Sequence, residues 1–161
     1  MRTAAWALAL PLIAIAPAHA GDITSIERMA TCQDSWVEWT KTDPARMKTF
    51  GEDFRGDFTH NGNDAFVTPK KPKTVAGLKV TQVFPESVGM GVGFSVMVAA
   101  PYDEARHRLE KMLGKPFPHC EASDGSHACE RKIAEQRTLT LMADDSARNT
   151  TLVGCYYFYE K

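Results

Sequence analysis

Four cysteines are the residues of this 161-residue chain whose type and spacing carry the clearest chemistry. Cys120 and Cys129 flank an Asp-Gly pair at 124–125, and Asp-Gly favours a two-residue hairpin turn because both turn positions need positive φ. Counting outward from that turn places Cys120 opposite Cys129 at a non-hydrogen-bonded pair, where Cα atoms lie about 4.5 Å apart. We therefore predict a Cys120–Cys129 disulfide and, by elimination, a Cys32–Cys155 disulfide.

The same hairpin permits a second interpretation as a metal site. His119 and His127 stand beside the two cysteines, and imidazole and thiolate are both zinc ligands. Their spacing matches no usual zinc finger or ribbon, and thiols in an oxidising compartment form disulfides. We therefore expect no metal and no cofactor, with both histidines on the surface of the hairpin.

A polar cluster at residues 57–64 is the next candidate. Its acids and amides match the opening spacing of a calcium-binding loop, but Thr68 stands where that loop needs a bidentate carboxylate. Within the cluster, His60 and Asp64 are candidates for contacting a small ligand, and His60 would be the base of a hydrolase. A solvated turn between helix and sheet is the simpler interpretation. Because no Gly-x-Ser-x-Gly or His-Glu-x-x-His motif occurs, we assign no catalytic residue.

Aromatic residues crowd the last predicted strand, residues 151–159. The alternation of a strand sends Tyr156 to one face and Tyr157 and Tyr159 to the other. Aromatic side chains on both faces fit a strand buried between two layers or, alternatively, an exposed row of the residue type that anchors protein interfaces. The residues predicted to contact a partner are Tyr156, Tyr157 and Tyr159, with Lys70 and Lys71 as a charged rim.

A glycine-rich strand offers a different kind of site. Between residues 88 and 98, apolar side chains alternate with Gly89, Gly91 and Gly93, so that one face of the strand is nearly bare. A helix packed on the glycines or a bend in the strand explains this pattern. Alternatively, the three glycines form the floor of a pocket for a small ligand or lipid.

The remaining pattern predicts the elements that must position these residues. A capping box at Thr24 and Glu27 starts a helix that runs to about Lys41, and Pro44 opens a second helix. A third helix is predicted over 102–113. The predicted strands are 65–68, 78–84, 88–98, the hairpin around 120–129, 138–142 and 151–159. This order predicts an α+β fold, a mostly antiparallel sheet with two N-terminal helices, one helix inserted between strands, and two disulfides.

The N-terminal residues predict export. Residues 1–20 combine a basic start, an apolar run and an Ala-His-Ala end, which is typical of a cleaved signal peptide. Residues 21–161 then form a single domain in the periplasm or outside the cell. With 19 basic and 20 acidic side chains, the chain lacks the excess of positive charge that nucleic-acid binding needs, and no later apolar stretch is long enough to span a membrane.

These observations favour a non-enzymatic binding protein. The partner would be another envelope or secreted protein, and an inhibitor of a cell-wall hydrolase or an immunity protein against an envelope-targeting toxin fits the size, the export signal and the disulfides. A small-ligand or lipid-binding protein that uses the glycine strand is the alternative, and an envelope hydrolase is a weaker one.

Overall fold

The computed structural model of the protein describes residues 25–36, 44–55, 66–85, 87–88, 91–123, 125–144 and 148–157. Three helices lie within these ranges: α1 (Ser25–Ala30), α2 (Pro44–Glu52) and α3 (Tyr102–Leu113). The strands are β1 (Phe54–Arg55), β2 (Thr68–Pro69), β3 (Thr74–Val75), β4 (Leu78–Phe84), β5 (Ser87–Val88), β6 (Gly91–Val98), β7 (His119–Ser123), β8 (Ser126–Ala134), β9 (Arg137–Asp144) and β10 (Thr151–Tyr157). None of the helices in the described ranges is long and apolar enough to cross a membrane.

Eight strands form one antiparallel sheet in the order β3-β4-β6-β10-β9-β8-β7, with β5 paired to β6. The two short strands β1 and β2 pair separately, and an antiparallel bridge from Val67 to Val83 joins this part of the chain to β4. The predicted α+β class, with a mostly antiparallel sheet and a helix between strands, is confirmed.

The core lies between the helices and one face of the sheet, which we call the near face. Its central row crosses five strands and is 0% exposed at every position: Val83, Val96, Val153, Leu141 and Cys129. All three described helices lie on this side: α1 contacts β6 and β10, Phe50 of α2 lies 6.3 Å from the ring of Phe94, and α3 contributes the buried Ala105 and Leu109.

Helix α1 is shorter than predicted because it ends in a Schellman motif. The N–H of Gln33 donates to the carbonyl of Arg28, and the N–H of Cys32 donates to the carbonyl of Met29. Cys32 occupies the left-handed position with φ 63°, where glycine is usual. The apolar spacing of Met29 and Trp36 continues through this turn, and for that reason the sequence pattern predicted an uninterrupted helix. Residues 37–43 lie outside the described residues.

Glu27, the described half of the predicted capping box, makes a tertiary contact. The carboxylate of Glu27 accepts a hydrogen bond of 2.8 Å from the N–H of Ala76. Ala76 and Gly77, with φ of 50° and 74°, form the two-residue turn between β3 and β4, as a turn with two positive φ values requires. Glu27 therefore ties the first helix to the edge of the sheet, and Thr24 lies outside the described residues.

Both predicted disulfides are present. Cys32–Cys155 joins the end of α1 to β10 with a Cα–Cα distance of 5.0 Å, and Cys120–Cys129 joins β7 to β8 with a Cα–Cα distance of 4.1 Å. The hairpin register is the predicted one, from Ser123 opposite Ser126 outward to the paired cysteines. Two disulfides are consistent with an extracellular or oxidising compartment.

Candidate functional site

The sheet face opposite the helices, which we call the far face, contains the first candidate site. Cross-strand pairing aligns Met97 of β6, Leu152 of β10 and Met142 of β9 in one row, and all three are half-buried. Side chains alternate along β10, so these residues point away from Cys155 and the helices. The row is an apolar strip at the centre of the sheet.

Two further rows of cross-strand neighbours lie next to the apolar strip on the far face. Next to the apolar strip, Ser95, Gly154 and Thr140 align across the same three strands and supply only small side chains. Beyond them, Tyr156 lies between Gly93 and Thr138, with Lys132 following on β8. The far face therefore has a row of small, buried residues between the apolar strip and Tyr156, and it ends in exposed charged residues on β8, Glu130 and Lys132.

Tyr157 lies in the interior and does not reach the surface. Its side chain is 6% exposed, and its hydroxyl oxygen accepts a hydrogen bond of 2.9 Å from the N–H of Trp36. A side chain so buried cannot form part of a contact surface, which corrects the prediction that Tyr157 is a partner contact. Tyr159 lies outside the described residues, so Tyr156 is the described member of the predicted tyrosine set that is partly accessible.

Lys70 and Lys71 do not adjoin Tyr156. They follow β2, which lies on the side of β4 away from β6, so three strand spacings of about 4.8 Å separate them from β10. The ammonium of Lys70 donates to the carbonyl of Glu52 at the end of α2, and Lys71 is exposed. The two lysines therefore belong to the junction of α2 with the sheet edge.

The glycine strand and the polar cluster are described only in part. Gly93 is buried beside Tyr156, and Gly91 pairs with Val88 of β5. Because the described helices lie on the near face, none of them packs on Gly93. Gly89, His60 and Asp64 lie outside the described residues.

A second candidate site is a cleft beside the Cys120–Cys129 hairpin, which sequence reasoning missed. This cleft has a volume of about 500 Å³ and lies between the first turn of α3, the hairpin and residues 148–150. Cys120 lines it and is exposed, whereas Cys129 is 0% exposed. We call it the hairpin cleft; its polar walls include Tyr102, Asp103, Arg106, Glu121, His127 and Arg148.

Tyr102 is the central side chain of the hairpin cleft. Its hydroxyl lies 2.8 Å from Sγ of Cys129, and because that sulfur carries no proton in a disulfide, the hydroxyl is the donor. The ring stacks 5.1 Å from the imidazole of His127 and lies 5.8 Å from the guanidinium carbon of Arg106. Burial raises the pKa of Tyr102, so the hydroxyl keeps its proton and remains a donor at neutral pH.

The charges of the hairpin cleft nearly balance. Arg106 pairs with Asp103 at 3.1 Å on the first turn of α3, and Glu121 and Arg148 add one charge of each sign. No group of three His, Cys, Asp or Glu that could hold a metal ion occurs in the part of the chain that the structure describes. Cys120 and Cys129, the two cysteines of the zinc interpretation, are joined to each other in a disulfide.

Comparisons with protein-family models, with curated proteins and with solved structures find no match for this chain. The functional argument for the two candidate sites therefore rests on their geometry.

Proposed function

We propose that this protein binds another exported protein through its far face and occludes that partner. The partner would be a cell-wall hydrolase or an envelope-targeting toxin. The observation that carries the proposal is the apolar strip of Met97, Leu152 and Met142, with Tyr156 beyond the row of small residues, on the face opposite all described helices. Methionine and tyrosine are both enriched at the centres of protein interfaces.

The extent of the far face suits a protein partner better than a small molecule. Five strands of seven to nine residues lie side by side across about 19 Å and run for about 24 Å or more: β4, β6, β10, β9 and β8. That area is more than half of the roughly 800 Å² that one partner contributes to a standard interface. Small-molecule sites are concave and enclose most of the ligand, whereas the rows of the far face extend across neighbouring strands of one sheet.

The covalent frame favours binding without rearrangement. The Cys32–Cys155 disulfide lies directly behind β10, the strand that carries Leu152 and Tyr156. A surface held in place before association loses little conformational entropy when the partner binds. An occluding inhibitor gains affinity from such preorganisation.

The test uses oxidised residues 21–161 as bait for envelope and culture fractions of the organism that makes the protein. Binding of each captured protein is then measured with Tyr156→Ala and Leu152→Glu. We expect each substitution to lower the affinity for the specific partner at least about tenfold, as loss of a central interface side chain does. Inhibition of the partner's enzymatic or toxic activity by equimolar protein would establish occlusion.

A matched control is Val92→Ala, which removes an exposed apolar side chain from the side of β6 that alternation places with the near face. It should leave binding unchanged. Circular dichroism and retention of both disulfides verify folding of each variant. Undiminished binding by folded Tyr156→Ala and Leu152→Glu would exclude the far face as the interface.

A further inference from the structure

The two sulfur atoms of Cys120–Cys129 differ in access. Cys120 is exposed and lines the hairpin cleft, whereas Cys129 is 0% exposed and points into the near-face core. Thiol–disulfide exchange requires an attacking thiolate to reach one sulfur while the other leaves. Because Cys120 is the exposed residue of the pair and lines the cleft, its sulfur is the one open to attack and Cys129 supplies the leaving sulfur.

The leaving sulfur has a hydrogen-bond donor already in place. The hydroxyl of Tyr102 lies 2.8 Å from Sγ of Cys129, and it is held there by its contacts with His127 and Arg106. A hydrogen bond to a thiolate is stronger than one to a neutral disulfide, so this donor stabilises the product of S–S cleavage more than the starting bond.

We propose that Cys120–Cys129 is a thiol–disulfide exchange site, with Cys120 as the attacked sulfur and Tyr102 as the donor to the departing Cys129 thiolate. The co-reactant is a protein dithiol of the oxidising compartment. This proposal concerns the hairpin cleft and is independent of partner binding by the far face.

The exchange proceeds in two displacements. In the first, a thiolate of the co-reactant forms a bond to Sγ of Cys120, the S–S bond breaks, and Cys129 departs as a thiolate that then takes up a proton. In the second, the other thiolate of the co-reactant attacks the co-reactant's first sulfur, which is bonded to Cys120 in the mixed disulfide. Cys120 is released as a thiolate and takes up a proton. Two electrons pass to this protein, which gains two thiols, and the co-reactant becomes a disulfide.

The Cys32–Cys155 disulfide is an internal control within the same molecule. Cys32 is 1% exposed and Cys155 is 0% exposed, beneath the helices of the near face. An attacking thiolate therefore cannot approach either sulfur without prior opening of the fold. Exchange at the hairpin should leave this bond intact.

The first experiment treats the folded, oxidised protein with dithiothreitol for varied times, followed by alkylation and peptide mass spectrometry. We expect Cys120 and Cys129 to become labelled at least about tenfold faster than Cys32 and Cys155. Equal rates for the two disulfides would overturn the proposal. With glutathione as probe, the adduct should appear on Cys120 and the alkylated thiol on Cys129; the reverse distribution would overturn the assigned direction of attack.

The second experiment isolates the hydroxyl with Tyr102→Phe, which keeps the ring against His127 and Arg106. Loss of the donor should slow reduction of Cys120–Cys129 about tenfold, since hydrogen bonds to charged groups are among the stronger ones in proteins. Thr74→Val removes a hydroxyl from an exposed position of β3, away from both candidate sites, and should leave the rate unchanged. An unchanged rate in folded Tyr102→Phe would overturn the role of Tyr102.

Discussion

The two disulfides attach to the same sheet but differ in loop length and in surroundings. Cys32–Cys155 spans 123 residues and lies within the core, where it anchors the end of α1 to a central strand. Cys120–Cys129 spans 9 residues, crosses two strands that already pair with each other, and opens on one side to a polar cleft. Because its loop is longer, the first disulfide should stabilise the fold more. Because a thiolate can approach it from the cleft, the second should exchange faster.

The largest expected effect is the loss of stability caused by the double substitution Cys32→Ala/Cys155→Ala. Removal of a link across 123 residues should lower the free energy of unfolding by roughly 4–5 kcal/mol, because the unfolded chain regains the entropy that the bond withholds. Urea unfolding followed by fluorescence measures this change. A loss below about 2 kcal/mol would mean that packing of α1 holds the helix without the bond.

The matching double substitution, Cys120→Ala/Cys129→Ala, should lower the free energy of unfolding by roughly 2–3 kcal/mol. The closed loop is shorter, and the pairing of β7 with β8 constrains it in any case. The same urea titration measures it. A larger loss of stability in Cys120→Ala/Cys129→Ala than in Cys32→Ala/Cys155→Ala would contradict the assignment of most of the stabilisation to the core disulfide.

A hydrogen bond near the core disulfide sharpens the comparison further. Tyr157→Phe removes the acceptor of the Trp36 N–H and should lower the free energy of unfolding by about 1–2 kcal/mol, because a buried N–H then loses its partner oxygen. Thr74→Val, which removes a hydroxyl from an exposed position of β3, is the control and should change stability by less than about 0.5 kcal/mol. Equal losses would show that the hydroxyl of Tyr157 contributes nothing specific.

The smallest expected effect concerns an ion pair that holds the chain after α2, a region that neither disulfide joins. The ammonium of Lys73 lies 2.6 Å from the carboxylate of Asp53 and, through that hydrogen bond, lowers the pKa of Asp53. Because the folded-state pKa lies below the unfolded value of about 3.9, the pair stabilises the fold above that pH. This contribution is lost as the pH falls through the folded-state pKa.

Both groups of this ion pair are partly exposed, so solvent screening limits the contribution to less than about 1 kcal/mol. The difference in unfolding free energy between pH 7 and pH 3 should be smaller for Lys73→Met than for the wild type. Lys79→Met, an exposed lysine on β4, is the control. An unchanged pH dependence in Lys73→Met would contradict the assignment.

Local signals explain which parts of the fold the sequence predicted. The Asp-Gly turn determined the register from Ser123 to Cys129, and the strands β4 and β10 and the helix α3 each began at the predicted residue. Each of these features depends on residues close together in the chain. The pairing of Cys32 with Cys155 followed only because one pair could be assigned locally.

The features that the sequence did not predict depend on contacts between distant residues. The end of α1 at Cys32 is a left-handed residue that is not glycine, and the disulfide to β10 holds it in place. The short hairpin of β3 and β4 turns at Ala76, where Glu27 supplies an acceptor from 49 residues away. Tyr102 contacts Cys129 only because α3 packs against the near face. No local pattern encodes such contacts.

The candidate site was predicted unevenly for the same reason. Alternation along β10 correctly separated Tyr156 from Tyr157, and the face that the helices cover followed from the predicted disulfide at Cys155 and not from alternation alone. That choice is set by Cys32, which draws α1 to the side of Cys155 and leaves Leu152 and Tyr156 on the far face. The assignment of Tyr157 as a contact residue failed because its hydroxyl is satisfied in the core.

The position of β10 has a consequence for the order in which the sheet can form. β10 is the last described strand in the sequence, but it lies in the middle of the sheet between β6 and β9. A growing chain that has not yet produced residues 151–157 can pair its strands only as two separate ribbons, each with an unpaired edge. Closure of the sheet, and with it the 123-residue covalent loop, is therefore a late event in folding. The hairpin disulfide, which needs only neighbouring strands, can form before it.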